Sequence, residues 1–258
     1  MRRVSVQRLL WLFLAPLIVV AACGTGPNAD AAVQRAVTAT RAAGTAAVTM
    51  HLSATGLSTG ALEITAHGSI DFAARRSAMT LSYAGQLQVE ERIIGSSLYV
   101  RSPQWSTQAS SIPAGNWLAI DLSKPSSTTG LDLDQLQLGN DDPGQGLTFL
   151  AAARKGGAQR FGHDTIGGVR TTHYRVKVDL TKVADEYAPR LGKQSATVDV
   201  WIDDDDHLRR AEVPLPLPKD AGDVQATATT DYDRFGQAVT IEAPPPSQVT
   251  SYADLAHG

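Results

Sequence analysis

From Gly44 onward apolar and polar residues alternate one for one. Val48, Met50 and Leu52 are separated by Thr49, His51 and Ser53, and Leu62, Ile64 and Ala66 by Glu63, Thr65 and His67. Met79, Leu81 and Tyr83 alternate with Thr80 and Ser82; Leu87, Val89 and Glu91 alternate with Gln86, Gln88 and Glu90. A period of two marks half-buried antiparallel strands with one face turned to a core. Gly56, Gly60, Gly85 and Gly95-Ser96 punctuate the runs as turns, so the natural reading is a meander. Further strands are predicted over 98–100, 116–121, 158–166, 169–180 (joined to the preceding strand by Gly167-Gly168), 197–202, 207–213, 224–232 and 237–241. The total is about ten to twelve strands.

Helical spacing occurs in three places. Residues 31–43 are alanine-rich, with Val33 and Val37 on one face, Asn28 or Asp30 available as a cap and Gly44 as a stop. Leu147 to Arg154 and Thr181 to Leu191 read as two shorter helices. Residues 102–113 and 123–146 are rich in Ser, Thr, Gly, Pro and Asp and read as loops, and Pro244-Pro245-Pro246 stops the sheet. There is no periodic repeat and no shift of composition that marks a boundary. The expected fold is α+β but mainly β, in one domain over residues 31–258.

The first 22 residues follow another rule. Arg2, Arg3 and Arg8 precede or open an apolar run from Leu9 to Ala22. At 14 residues it is short of the roughly 20 needed to span a bilayer and fits the core of a signal peptide. It ends in Val20-Ala21-Ala22-Cys23, which resembles a bacterial lipobox. That resemblance implies a diacylglyceryl group on the Cys23 sulfur and cleavage before it, with residues 23–30 as a lipidated tether. Two acyl chains suffice for stable anchoring, because each buried CH₂ contributes about 0.8 kcal/mol. Cys23 is the only cysteine, so no disulfide framework exists and the fold depends on its apolar core. Without the signal's three arginines, 20 basic side chains face 26 acidic ones. An acidic balance argues against a nucleic-acid partner and leaves no polybasic membrane patch.

Catalytic and metal motifs are missing from the sequence. It contains no Gly-x-Ser-x-Gly elbow, no His-Glu-x-x-His and no Walker-type glycine loop. The six histidines have no metal-ligand spacing, and His51, His67 and His173 fall on the polar sides of strands, where solvent exposure is expected. Asp203 to Asp206 lack the glycine bend and distal Glu of a calcium loop, so the run reads as a solvated hairpin turn. Trp201 sits opposite Val200 and Ile202 and suits packing against a helix or the rim of a pocket. Trp105 and Trp117 suit an entrance rim or a membrane interface. Pro214 to Pro218 suit an edge-blocking connection. No enzyme activity, cofactor or metal is expected.

Three segments carry a resemblance. Gly167-Gly168-Val169-Arg170-Thr171-Thr172-His173-Tyr174-Arg175-Val176-Lys177-Val178-Asp179-Leu180, Val198-Asp199-Val200-Trp201-Ile202-Asp203 and Tyr232-Asp233-Arg234-Phe235-Gly236-Gln237-Ala238-Val239-Thr240-Ile241-Glu242-Ala243-Pro244 resemble strand motifs of the LppX/LprAFG group of actinobacterial lipoproteins. The resemblance is firm over about residues 165–246 and the lipobox. It implies a LolA-like half-barrel, a large curved antiparallel sheet with helices on its concave face. It also implies a membrane-anchored, extracytoplasmic protein that binds a lipid or glycolipid acyl chain in an apolar cavity. The expected lining is Met50, Leu52, Leu62, Ile64, Met79, Leu81, Val89, Val176, Val198 and Val200. Strand alternation alone does not distinguish a hollow from a filled half-barrel. A filled one would favour a non-transport envelope sensor or a module that binds a protein partner.

Overall fold

In the computed structural model, residues 27–56, 61–83, 85, 87–104, 115–123, 144–179, 181, 195–215 and 224–256 are described. The signal segment, Cys23, Trp105, residues 182–191 of the third predicted helix and Pro216 to Pro218 lie outside them. The strands are β1 Thr45–Thr55, β2 Leu62–Asp71, β3 Arg76–Tyr83, β4 Leu87–Ile94, β5 Ser97–Arg101, β6 Trp117–Asp121, β7 Ala153–Ile166, β8 Val169–Asp179, β9 Ser195–Asp203, β10 Leu208–Leu215, β11 Gln225–Asp233 and β12 Val249–Ser251. The helices are α1 Pro27–Ala42, α2 Gln145–Ala151 and α3 Tyr252–Ala256. All the strands form one curved, open sheet in the order β12-β6-β5-β4-β3-β2-β1-β11-β10-β9-β8-β7. Two meanders, β1–β6 and β7–β11, meet where β1 pairs with β11.

Antiparallel pairing was expected throughout, but β12 runs parallel to β6. The strand predicted over 237–241 does not form. Its place is taken by an extended strap whose carbonyls are bound by side chains: Arg76 donates to the Ile241 carbonyl at 3.0 Å and Arg92 to that of Glu242 at 2.9 Å. The strap carries the chain past β3 and β4 to β12.

Helix α1 starts at Pro27, four residues earlier than expected. Proline suits a first helical turn, where its missing N–H would have no partner. Gly44 ends the helix in the left-handed conformation (φ 80°), and its N–H bonds to the Arg41 carbonyl at 3.1 Å. At the β7–β8 hairpin, Gly167 and Gly168 both have positive φ (57° and 82°), as a two-residue type I′ turn requires.

Register assigns the two faces. On the inner face, Val48 is opposite Gly68 and Tyr232, Gly68 is opposite Met79, and Met79 is opposite Glu91. Helices α1 and α2 cover one end of this face. Val33 and Ala36 of α1 and Leu147 and Leu150 of α2 join Val176, Val178, Val198 and Val200 in the main core. Helix α3 covers the other end, where Tyr252 and Leu255 pack on Ile93, Leu98, Leu118, Ile120 and Leu122.

Candidate functional site

Between these covered ends lies a trough built from the distal halves of β1–β4. Its rungs follow from pairing: Leu52 against Ile64, Ile64 against Tyr83, Leu81 against Val89, and Tyr83 against Leu87. Met50 and Leu62 keep 40% and 37% of their surface open, and Leu52, Ile64, Leu81, Leu87 and Val89 are only partly buried. Leucine and methionine fully inside a core would be sealed, so this row is an apolar surface that the described residues do not cover.

The ten candidate lining residues therefore divide. Val176, Val198 and Val200 are wholly buried, with no exposed surface, beneath α1 and α2 in the main core. Met79 sits at the boundary, packed against that core but partly open. Met50, Leu52, Leu62, Ile64, Leu81 and Val89 line the trough. Gly68 creates the boundary: a Cβ there would lie 1.9 Å from the Ala78 carbonyl oxygen and 2.8 Å from the Met79 sulfur. Only glycine lets β2 and the Met79 side chain come so close.

Two titratable groups of β3 and β4 share this apolar face. Glu91 lies opposite Met79 on β3 and Val100 on β5, and the described residues form no hydrogen bond or ion pair with it. Burial pushes its carboxyl above the usual glutamate range. Tyr83 is raised too, first by burial and then by the negative charge of Glu91. The alternation had already put Glu91 in phase with Leu87 and Val89. Its lack of a partner was not visible in the sequence.

The outer face carries the paired charges. Asp231 receives both nitrogens of the Arg210 fork at 2.6 and 2.7 Å, which holds the guanidinium above its ordinary range. Arg101 grips Glu90 at 2.6 Å. Trp117 is almost fully buried, with the Arg92 and Arg101 guanidiniums 4.5 and 4.6 Å from its ring centre. It rims no entrance among the described residues, because the two cations cap it. Trp201 packs, but against His173 rather than a helix: the rings stack at 4.4 Å and the indole N–H donates to Asp164 at 2.8 Å. His173 is therefore largely covered rather than exposed, and its Nε2 lies 2.8 Å from Asp199. His51 and His67 are exposed as expected.

Asp203 to Asp206 do form the β9–β10 turn, but Asp203 is buried rather than solvated. It accepts the backbone N–H groups of Asp205 and His207 and binds Arg209 at 2.6 Å. Asp203, Asp205 and His207 bring ligand atoms within 4.8 Å of one another, yet Asp203 is already taken up by the turn. Pro214 sits in β10 opposite Thr227, past the last residue that pairs with β9, so the ladder needs no N–H from it on that side.

No family model and no curated protein matches the sequence. Solved structures do. The lipoprotein LppX of Mycobacterium tuberculosis superposes with a TM-score of 0.55 at 17% identity, over 84% of this chain and 99% of that one. The chain has the LppX fold. LprF from Mycobacterium bovis aligns over 86% of this chain and 99% of its own at 16% identity, with a TM-score of 0.47. The half-barrel implied by the LppX/LprAFG resemblance is thus the observed architecture. Within this LppX fold the trough lies between two helix-covered cores.

Proposed function

We propose that this protein is an extracytoplasmic lipoprotein, anchored to the membrane through Cys23, that holds the acyl chain of a lipid or glycolipid in the β1–β4 trough. The observation that carries the reading is the continuous apolar row between the two helix-covered ends of the inner face. An acyl chain is the simplest occupant, since burial alone supplies affinity at about 25 cal/mol per Å² of apolar surface removed from water. No reaction is required. The fold shared with the lipoprotein LppX supports the envelope assignment.

The test is native mass spectrometry of the chain from Gly24 onward, purified without detergent, with its organic extract analysed alongside. A reproducible added mass that leaves on extraction and matches a lipid supports the reading. A bare mass, with no uptake of added phospholipid or glycolipid, refutes it.

A further inference from the structure

Resting on that reading, we propose that Glu91 forms a polar station within the trough that selects an acyl lipid bearing a free hydroxyl over an anionic or a fully esterified one. The argument starts from what else faces the trough. Among the described residues, the inner positions of β1–β5 are Ala46, Val48, Met50, Leu52 and Ala54; Leu62, Ile64, Ala66, Gly68 and Ile70; Ser77, Met79, Leu81 and Tyr83; Leu87, Val89, Glu91 and Ile93; and Leu98 and Val100. Glu91 is the one acid among them, and there is no lysine, arginine or histidine. The arginines of these strands are committed on the outer side, Arg76 and Arg92 to strap carbonyls and Arg101 to Glu90.

This arrangement discriminates between headgroups. A phosphate or carboxylate lodged here would meet a carboxyl and no cation. A hydroxyl donates to a Glu91 oxygen without bringing a charge of its own. A fully esterified lipid supplies no donor and would leave the Glu91 carboxyl unpaired on an apolar face, which is costly.

The experiment presents the full-length protein with phosphatidylcholine vesicles carrying equal traces of radiolabelled dioleoylglycerol, trioleoylglycerol and dioleoylphosphatidic acid, then recovers the protein and counts the bound lipids. The acyl chains are identical, so only the headgroup differs. The expected result is a preference of about tenfold for dioleoylglycerol over each of the others, the size of one well-made hydrogen bond to a carboxyl. Glu91→Leu should abolish the preference over trioleoylglycerol. Glu91→Gln, which keeps an acceptor but no charge, should retain that preference and admit phosphatidic acid. Equal lipid ratios in wild type and Glu91→Leu would overturn the station while leaving the acyl trough intact. Binding of none of the three lipids by wild type would overturn the trough itself.

Discussion

Strand β7 slips out of register with β8 between Ala153 and Ala158, and the fold repairs that slip with one side chain. Asp30, in the first turn of α1, accepts the Ala158 N–H at 2.9 Å through one carboxylate oxygen and the Gly156 N–H through the other. Replacing Asp30 with alanine should therefore loosen α1 from the sheet. Ala158 is 1% exposed, so its N–H would lose its partner with no water to replace it, at about 1–3 kcal/mol. Gly156 is exposed and can turn to water, which limits its loss to about 0.5–1.5 kcal/mol. An acidic group at a helix N-terminus adds about 0.3–1 kcal/mol. Together these predict a loss of about 2–5 kcal/mol. With a urea dependence of about 1–3 kcal/mol per molar, the unfolding midpoint should fall by roughly 1 M or more. Asp30→Asn, which keeps one acceptor oxygen, should lose less than half as much. Amide exchange supplies an independent check, since the Ala158 N–H should exchange faster in Asp30→Ala well before global unfolding. A midpoint shift below about 0.3 M would refute the claim that this carboxylate ties the bulge to the helix.

Three further outcomes follow from the inner face. Val176→Asp buries a charge in the sealed core and should abolish folding, whereas Leu81→Asp should fold and lose only bound lipid; circular dichroism with lipid extraction separates them, and identical behaviour would erase the distinction between core and trough. Gly68→Ala forces a Cβ to within 1.9 Å of the Ala78 carbonyl, and should cost about 1–3 kcal/mol in chemical denaturation, with an unchanged midpoint counting against the close approach of β2 and β3. Because burial raises the Glu91 carboxyl in the folded state, its contribution is most favourable in acid and is lost as pH rises through the folded value. Glu91→Gln should thus match wild type in melting temperature near pH 4 and exceed it as pH rises through the folded value, then level off; a constant difference from acid to neutral pH would contradict the assignment.

How much of this was legible beforehand depends on the range of the interaction. Alternation within one strand is local, so the strands containing Met50, Ile64, Leu81 and Val200 were readable, as was the turn at Gly167-Gly168. Glu91 was legible as an acid in an apolar phase, because its neighbours two and four residues away are Val89 and Leu87. Cross-strand matters were not. His173 meets Trp201 only because β8 and β9 pair in that register, and Trp117 meets Arg92 and Arg101 only because β4, β5 and β6 are neighbours. The strap defeated the same local logic from the other side: Val239 and Ile241 alternate as a strand would, but the Ile241 carbonyl goes to a side chain rather than a ladder. Strand β12, at three residues, is too short to carry a period at all.

That the described helices leave part of the inner face uncovered also follows from dimensions. Twelve strands spaced about 4.8 Å apart give a sheet roughly 50 Å across. Helix α1, with 16 residues, is about 24 Å long, and α2 and α3, with 7 and 5 residues, are about 10 and 8 Å. Taking each helix as about 10 Å wide and the strands as about 25 Å long, the described helices cover roughly a third of the inner face. Part of the uncovered share falls on β1–β4, because α1 is committed to β7 and β10, and α3 to β6 and β12. Glu91 makes this opening hard to close by collapse. If β4 folded inward onto β1, the carboxyl would be sealed beside the apolar side chains of Met79, Val89 and Val100, at a cost of several kcal/mol. A ligand that brings its own hydroxyl removes that cost while covering the apolar row, so the residue that opposes self-closure is also the one that favours a particular guest.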